Sequence, residues 1–171
     1  MRAGPPVFPF TRIFLMDGVR PLISVTPCHN ASTASNQMQF LHPKHWAPAK
    51  GFSNGIAATG RQVFIAGQVG WGADQRFATD DFVEQVEQAL RNIVAVLAEA
   101  DGRPEHIVRL TWYVTDKREY ISRLRDIGAA YRRVLDRHFP AMTLVQVVAL
   151  VEDRAKVEIE ATAVIPEAAS A

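Results

Sequence analysis

Asp81-Phe-Val-Glu-Gln-Val-Glu-Gln-Ala-Leu-Arg-Asn-Ile-Val-Ala-Val-Leu-Ala-Glu-Ala100 and, after a six-residue connection, Ile107-Val-Arg-Leu-Thr-Trp-Tyr-Val-Thr115 form the stretch on which the fold turns. In the first part Phe82, Val86, Leu90, Ile93 and Leu97 recur every three or four residues, the spacing of one helix face. Asp81 with Glu84 reads as a capping box, and Gly102 followed by Pro104 as a C-terminal stop. In the second part β-branched and aromatic residues crowd a short run, which predicts a strand. A helix handed directly to a strand indicates a domain of mixed elements.

Working outward, Arg61-Gln-Val-Phe-Ile-Ala-Gly-Gln-Val-Gly70 is a second strand-like run bounded by glycines, expected to pair with residues 53–59. Downstream, Tyr120, Leu124, Ile127, Tyr131, Leu135 and Phe139 mark one face of a second helix that Pro140 ends. Strands are expected over 143–150 and 156–165. The last alternates Val157, Ile159, Ala161 and Ala163 inward with Glu158, Glu160 and Thr162 outward. The order β-β-α-β-α-β-β defines an α+β fold with a single mixed sheet and two helices on one face. Two helices cannot cover both faces. Apolar Leu110, Trp112, Val145 and Val147 are therefore expected on an open face buried by self-association.

The 171 residues with 48% apolar content suit one domain plus a tail. No apolar run approaches the roughly 20 residues that span a bilayer, so no membrane partner is expected. Cys28 is the single cysteine, which excludes an internal disulfide and fits a reducing, cytoplasmic compartment. His42, His45, His106 and His138 have no ligand-type spacing, and no metal is expected. In residues 1–50, Arg2, Arg12, Arg20, Lys44 and Lys50 oppose the lone Asp17, so the rest of a chain of net charge +1 is mildly acidic. That sign opposes nucleic-acid binding. The arginines of the second helix alternate with Glu119, Asp126 and Asp136, as on a solvated face. Residues 1–45 hold most of the prolines and read as a poorly ordered extension, with Met38 a possible start. Their prolines argue against a transit peptide, and Ile13-Phe-Leu-Met16 is short for a signal peptide. Residues 46–166 form the domain and 167–171 a C-terminal tail.

Val63-Phe-Ile-Ala-Gly-Gln68, Gln88-Ala-Leu-Arg-Asn-Ile93, Ile107 to Asp116, Phe139-Pro-Ala141 and Val157-Glu-Ile-Glu-Ala161 occur in the order and spacing of the RidA/YjgF family, which the chain resembles from about Trp46 to Pro166. The resemblance implies a chorismate-mutase-like fold and a homotrimer with pockets between subunits. It also implies hydrolysis of reactive 2-imino or enamine acids to 2-keto acids and ammonia, with neither metal nor cofactor.

That chemistry needs a cation for the substrate carboxylate, an acid/base carboxylate at the imine carbon and donors to orient the rest. Where family deaminases carry arginine after Phe-Pro-Ala, this chain has Met142, which supplies neither charge nor paired donors. The family's first-loop tyrosine corresponds to Phe52, and the asparagine of the second helix to Gly128. Glu158 matches the family's pocket glutamate and is the expected acid/base, its pKa raised toward neutrality in a partly desolvated interface. As an unremarkable strand residue it would be a solvated glutamate like Glu160. Gly67 and Gln68 match the family's pocket wall, although a strand glycine equally marks a bulge. Thr143 offers a hydroxyl where the family often has serine. Arg61, Arg76 or Arg109 could replace the missing cation, and each fits a surface role as well. The leading expectation is a cofactor-free deaminase or hydrolase of a small enamine or imine metabolite. In it Glu158 directs water while Met142 shifts the substrate away from simple carboxylates. The alternatives are a non-catalytic, metabolite-binding or chaperone-like trimer, and an endoribonuclease, for which no His-Lys or His-His pair is present.

Overall fold

The computed structural model describes residues 38–167. Helix α1 spans Phe82–Ala98 and begins as the sequence predicts: extended Asp81 accepts from the Val83 and Glu84 N–H groups at 2.8 and 3.0 Å. The other half of the box differs, because the Asp81 N–H donates to Thr79 Oγ1. At the far end the left-handed residue is Asp101, at φ 57°, and the Gly102 N–H closes onto Leu97 O at 3.0 Å. Gly102 serves there by its small size, since a Cβ would stand 2.6 Å from Leu97 Cγ. The face made by Phe82, Val86, Leu90, Ile93 and Leu97 is buried against the sheet.

Strands β3 (Arg61–Val69), β4 (Ile107–Val114), β5 (Ala141–Gln146) and β6 (Val157–Ile165) form one mixed sheet in the order β3-β6-β4-β5. The β4/β5 pair is parallel, and β6 is antiparallel to both its neighbours. Parallel β4 and β5 need a crossover, which helices α2 (Lys117–Ser122) and α3 (Leu124–Leu135) supply. Val157, Ile159, Ala161 and Ala163 of β6 face the core as their alternation predicts.

Four expectations are corrected. Residues 53–59 do not pair with β3; β2 (Gly55–Ala57) pairs with β1 (Gln39–Leu41) in a separate two-stranded ribbon. Ser53 is held instead against Ala141 of β5, at the opposite end of the sheet from β3, which draws the segment after it away from β3. The second helix is broken at Arg123, whose guanidinium binds Asp126 at 2.9 Å and Asp81 at 3.2 Å, and it stops at Leu135, before Phe139. The strand expected over 143–150 runs from Ala141 to Gln146, and Val148 and Val151 beyond it are fully exposed. Leu110 and Trp112 lie on the covered face, 0% and 2% exposed. Strand β1 lies within the segment expected to be poorly ordered, whose residues 1–37 fall outside those described, as do residues 168–171.

The uncovered face is identified by register. Phe64 pairs with Thr162, and Tyr113 with both Glu158 and Val145, so these side chains share the face away from the helices. Phe64 is 74% exposed there and Val145 41%.

Candidate functional site

Met142 and Leu144 of the edge strand β5 lie in register with Leu110 and Trp112, on the helix side of the sheet. Between this strand and α3 is a cleft of about 580 Å³. Trp112, Met142 and Leu144 form its floor; Tyr120, Ile127, Gly128 and Tyr131 form the helical wall; Phe139 and Phe52 close one end. Phe52 is held there because Ser53 extends the edge of β5. The Ser53 N–H donates to Pro140 O at 3.0 Å, its hydroxyl to Phe139 O at 2.5 Å, and the residue bridges Ala141. Gly51 turns the chain at φ 79° just before it. The Tyr131 ring stacks on Phe139 with centroids 5.7 Å apart, and its hydroxyl donates to His138 O at 2.7 Å. Burial pushes the Tyr131 and Tyr120 phenols up, so both are neutral donors in this apolar wall. The charged side chains lining the cleft are Lys50 and Arg132. Two buried donors, the Trp112 indole N–H and the Thr111 hydroxyl, have no partner among the described residues.

Glu158 is on the opposite face, half-buried in the central strand β6. β3 bulges between Ile65 and Gln68, and Gly67 sits in that bulge against the Glu158 side chain. A Cβ at Gly67 would stand 2.7 Å from Glu158 Cδ, so the glycine makes the seat of the carboxylate. The Gln68 amide folds back onto Ala66 O and Gly67 O at 3.1 and 3.3 Å. Thr143 pairs with Thr111 and, through it, with Glu160, which places it on the Glu158 side.

The predicted residues thus fall in two groups divided by the sheet: Phe52 and Met142 in the cleft, Glu158 and Gly67 on the open face with Thr143 at its edge. From sequence, Trp112 was expected on the open face of the sheet, Tyr131 on the helix face, and Phe139 on that helix face and in the Phe-Pro-Ala motif. The signal for them was Gly128, a gap in the helix wall facing the floor. Among the described residues no group of three His, Cys, Asp or Glu side chains could hold a metal ion, and no helix is long and apolar enough to cross a membrane.

A single mixed sheet of this order with its helices on one face defines a fold of the chorismate-mutase-like class. The chain belongs to the RidA/YjgF family, matching the family model described as Endoribonuclease L-PSP over residues 43–165. A RutC family protein of Aquifex aeolicus is 35% identical over 78 residues, 46% of this chain and 62% of that one. The chain therefore spans less than two thirds of that relative. A 2-iminobutanoate/2-iminopropanoate deaminase of Salmonella typhimurium is 31% identical over 108 residues, 61% of this chain and 80% of that one. The crystal structure of YyfB, a Rid family protein of unknown function from Yersinia pestis, superposes with a TM-score of 0.68 at 32% identity. The match covers 75% of this chain and 98% of that one.

Proposed function

We propose that the protein is a cofactor-free hydrolase of small imines or enamines, working as a cyclic homotrimer. In this assembly the Met142 cleft of one copy is completed by the Glu158 surface of the next. The observation that carries the reading is the division of the site: a cleft lined by no carboxylate on one side of the sheet, and a glutamate seated on a glycine on the other. Only a second copy can unite them. The exposed Phe64 and Val145 give the open face a reason to associate, and a heterologous contact that closes on itself keeps all copies equivalent.

Enclosed by a neighbour, the Glu158 carboxylate takes a proton from water as the water oxygen bonds to the imine carbon. Glu158 passes that proton to the substrate nitrogen, giving a carbinolamine, then takes the hydroxyl proton and delivers it to the same nitrogen as the C–N bond breaks, so ammonia leaves and the carbonyl forms. An enamine is first protonated at carbon and loses a proton from nitrogen, giving the same imine. The lone Cys28 fits a cytoplasmic setting for this chemistry.

The test is hydrolysis of an imine generated in situ from an amino acid, measured above the uncatalysed rate. Glu158→Gln is expected to lower turnover about 10²–10⁴-fold, the usual contribution of a general acid/base, while 2-keto acid binding persists. Turnover unchanged in Glu158→Gln would remove this carboxylate from the mechanism, and a wild type no faster than the uncatalysed rate would leave a binding protein in place of an enzyme.

A further inference from the structure

We propose that Arg132 of helix α3 is the anion-binding group of the cleft, and that the ligand it holds is a carboxylate with an aromatic or comparably bulky apolar body. The proposal rests on the reading of the cleft as the substrate site and narrows the class of substrate.

The floor and end of the cleft carry no charge: Met142 and Leu144 lie beneath, and Phe52 and Phe139 close one end. Among the described residues of one copy, the charged side chains that line the cleft are Lys50 and Arg132. Arg132 is one turn after Gly128 on the same helix face. A Cβ built on Gly128 would lie 3.5 Å from Arg132 Nη1, so the guanidinium rests over the space that the missing side chain leaves. Its neighbours are engaged elsewhere: Arg133 binds Glu87 through Nε at 3.0 Å and through Nη2, and Arg123 binds Asp81 and Asp126. The Arg132 side chain has no hydrogen bond or ion pair among the described residues. Its planar fork of donors matches a carboxylate bidentately, which the ammonium of Lys50 cannot do.

The second half of the proposal rests on the size of the cleft and on its aromatic lining. A cleft of about 580 Å³ falls within the range of roughly 300–1,000 Å³ for small-molecule sites, far more room than a three-carbon acid fills. Its aromatic wall suits a flat ring, as the existing Tyr131–Phe139 stack illustrates. A cation on the helix instead of strand β5 leaves the strand side free for the apolar body.

The experiment is calorimetric titration of the intact protein with phenylpyruvate, pyruvate and the uncharged phenylacetamide. The wild type is expected to bind phenylpyruvate at least about tenfold tighter than pyruvate. Arg132→Ala is expected to weaken phenylpyruvate about tenfold or more, the usual worth of a charge-assisted hydrogen bond, and to leave phenylacetamide unchanged. Arg132→Lys should fall between. Arg132 is exposed, so the variants should fold, which circular dichroism checks. Equal phenylpyruvate affinity in wild type and Arg132→Ala, or no preference for phenylpyruvate over pyruvate, overturns the proposal. Glu158→Gln separates the two readings. Turnover lost in Glu158→Gln with binding indifferent to Arg132 refutes this proposal alone, whereas binding that depends on Arg132 with turnover indifferent to Glu158 refutes the hydrolase alone.

Discussion

Replacing Gln85 by leucine is expected to destabilise the protein by about 3 kcal/mol. Gln85 is fully buried on α1 and joins two loops. Its amide donates to Thr79 O at 3.1 Å and Arg154 O at 2.9 Å, and its carbonyl accepts from the Lys156 N–H at 2.9 Å. Leucine fills similar space but strands two carbonyls and one N–H. Each polar group left buried without a partner costs about 1–3 kcal/mol, and Thr79, Arg154 and Lys156 are not themselves fully buried, which holds each cost near the lower bound. Replacement water has little room, because a Cβ on Gly70 would already stand 2.5 Å from Gln85 Cβ. Urea unfolding at one fixed protein concentration should show a lower midpoint with an unchanged slope, and thermal melting a fall of about 10 °C. Imine hydrolysis should fall as well, since Glu158 is two residues beyond the tethered Lys156. A loss of less than about 1 kcal/mol would refute the assignment of Gln85 as the strap between these loops.

Three further outcomes are expected. The carboxyl of Asp81 is held below its ordinary 3.8 chiefly by the Glu84 N–H, aided by Arg123. Its stabilisation is therefore present above pH 3.8 and lost as pH falls through the lower folded value. Asp81→Asn keeps a cap and should lose less stability than the wild type on acidification below that pH, and parallel acid profiles would contradict this. Gly67→Ala pushes the Glu158 carboxylate off its seat and should lower imine turnover about a hundredfold, the scale of an ångström-sized misplacement, with little change in melting temperature; full turnover would contradict it. Phe64→Glu puts charge on the open face and should shift sedimentation from trimer to monomer, and an unchanged trimer would place the interface elsewhere.

The sheet and first helix were legible because their information is local: a 3.6-residue period between Asp81 and Gly102, and alternation in Val157 to Ala163. The break at Arg123 was not legible, since it depends on a guanidinium reaching Asp81, 42 residues away. The pairing of Gly55–Ala57 with Gln39–Leu41 was hidden for a related reason, because a three-residue strand carries too few side chains to specify its partner. In the site, Met142 and Glu158 were found by motif, but their separation by the sheet follows from register, which turns on the parity of each residue in its strand. Leu110 and Trp112 were misassigned for want of that parity. Arg132 had no sequence signal apart from Gly128 one turn earlier.

The central claim is that each site joins the cleft of one copy to the glutamate of another, and subunit complementation tests it most directly. Glu158→Gln removes the acid/base group, and Gly128→Trp fills the cleft from a position where a Cβ would meet Arg132 Nη1 at 3.5 Å. Each variant alone should be inactive toward an imine generated in situ. Refolded together in equal amounts, they should recover about a quarter of wild-type activity, the fraction of sites in which both contributing halves are intact. A mixture as inactive as its components would mean that cleft and glutamate act within one chain or not at all, and the account would be wrong.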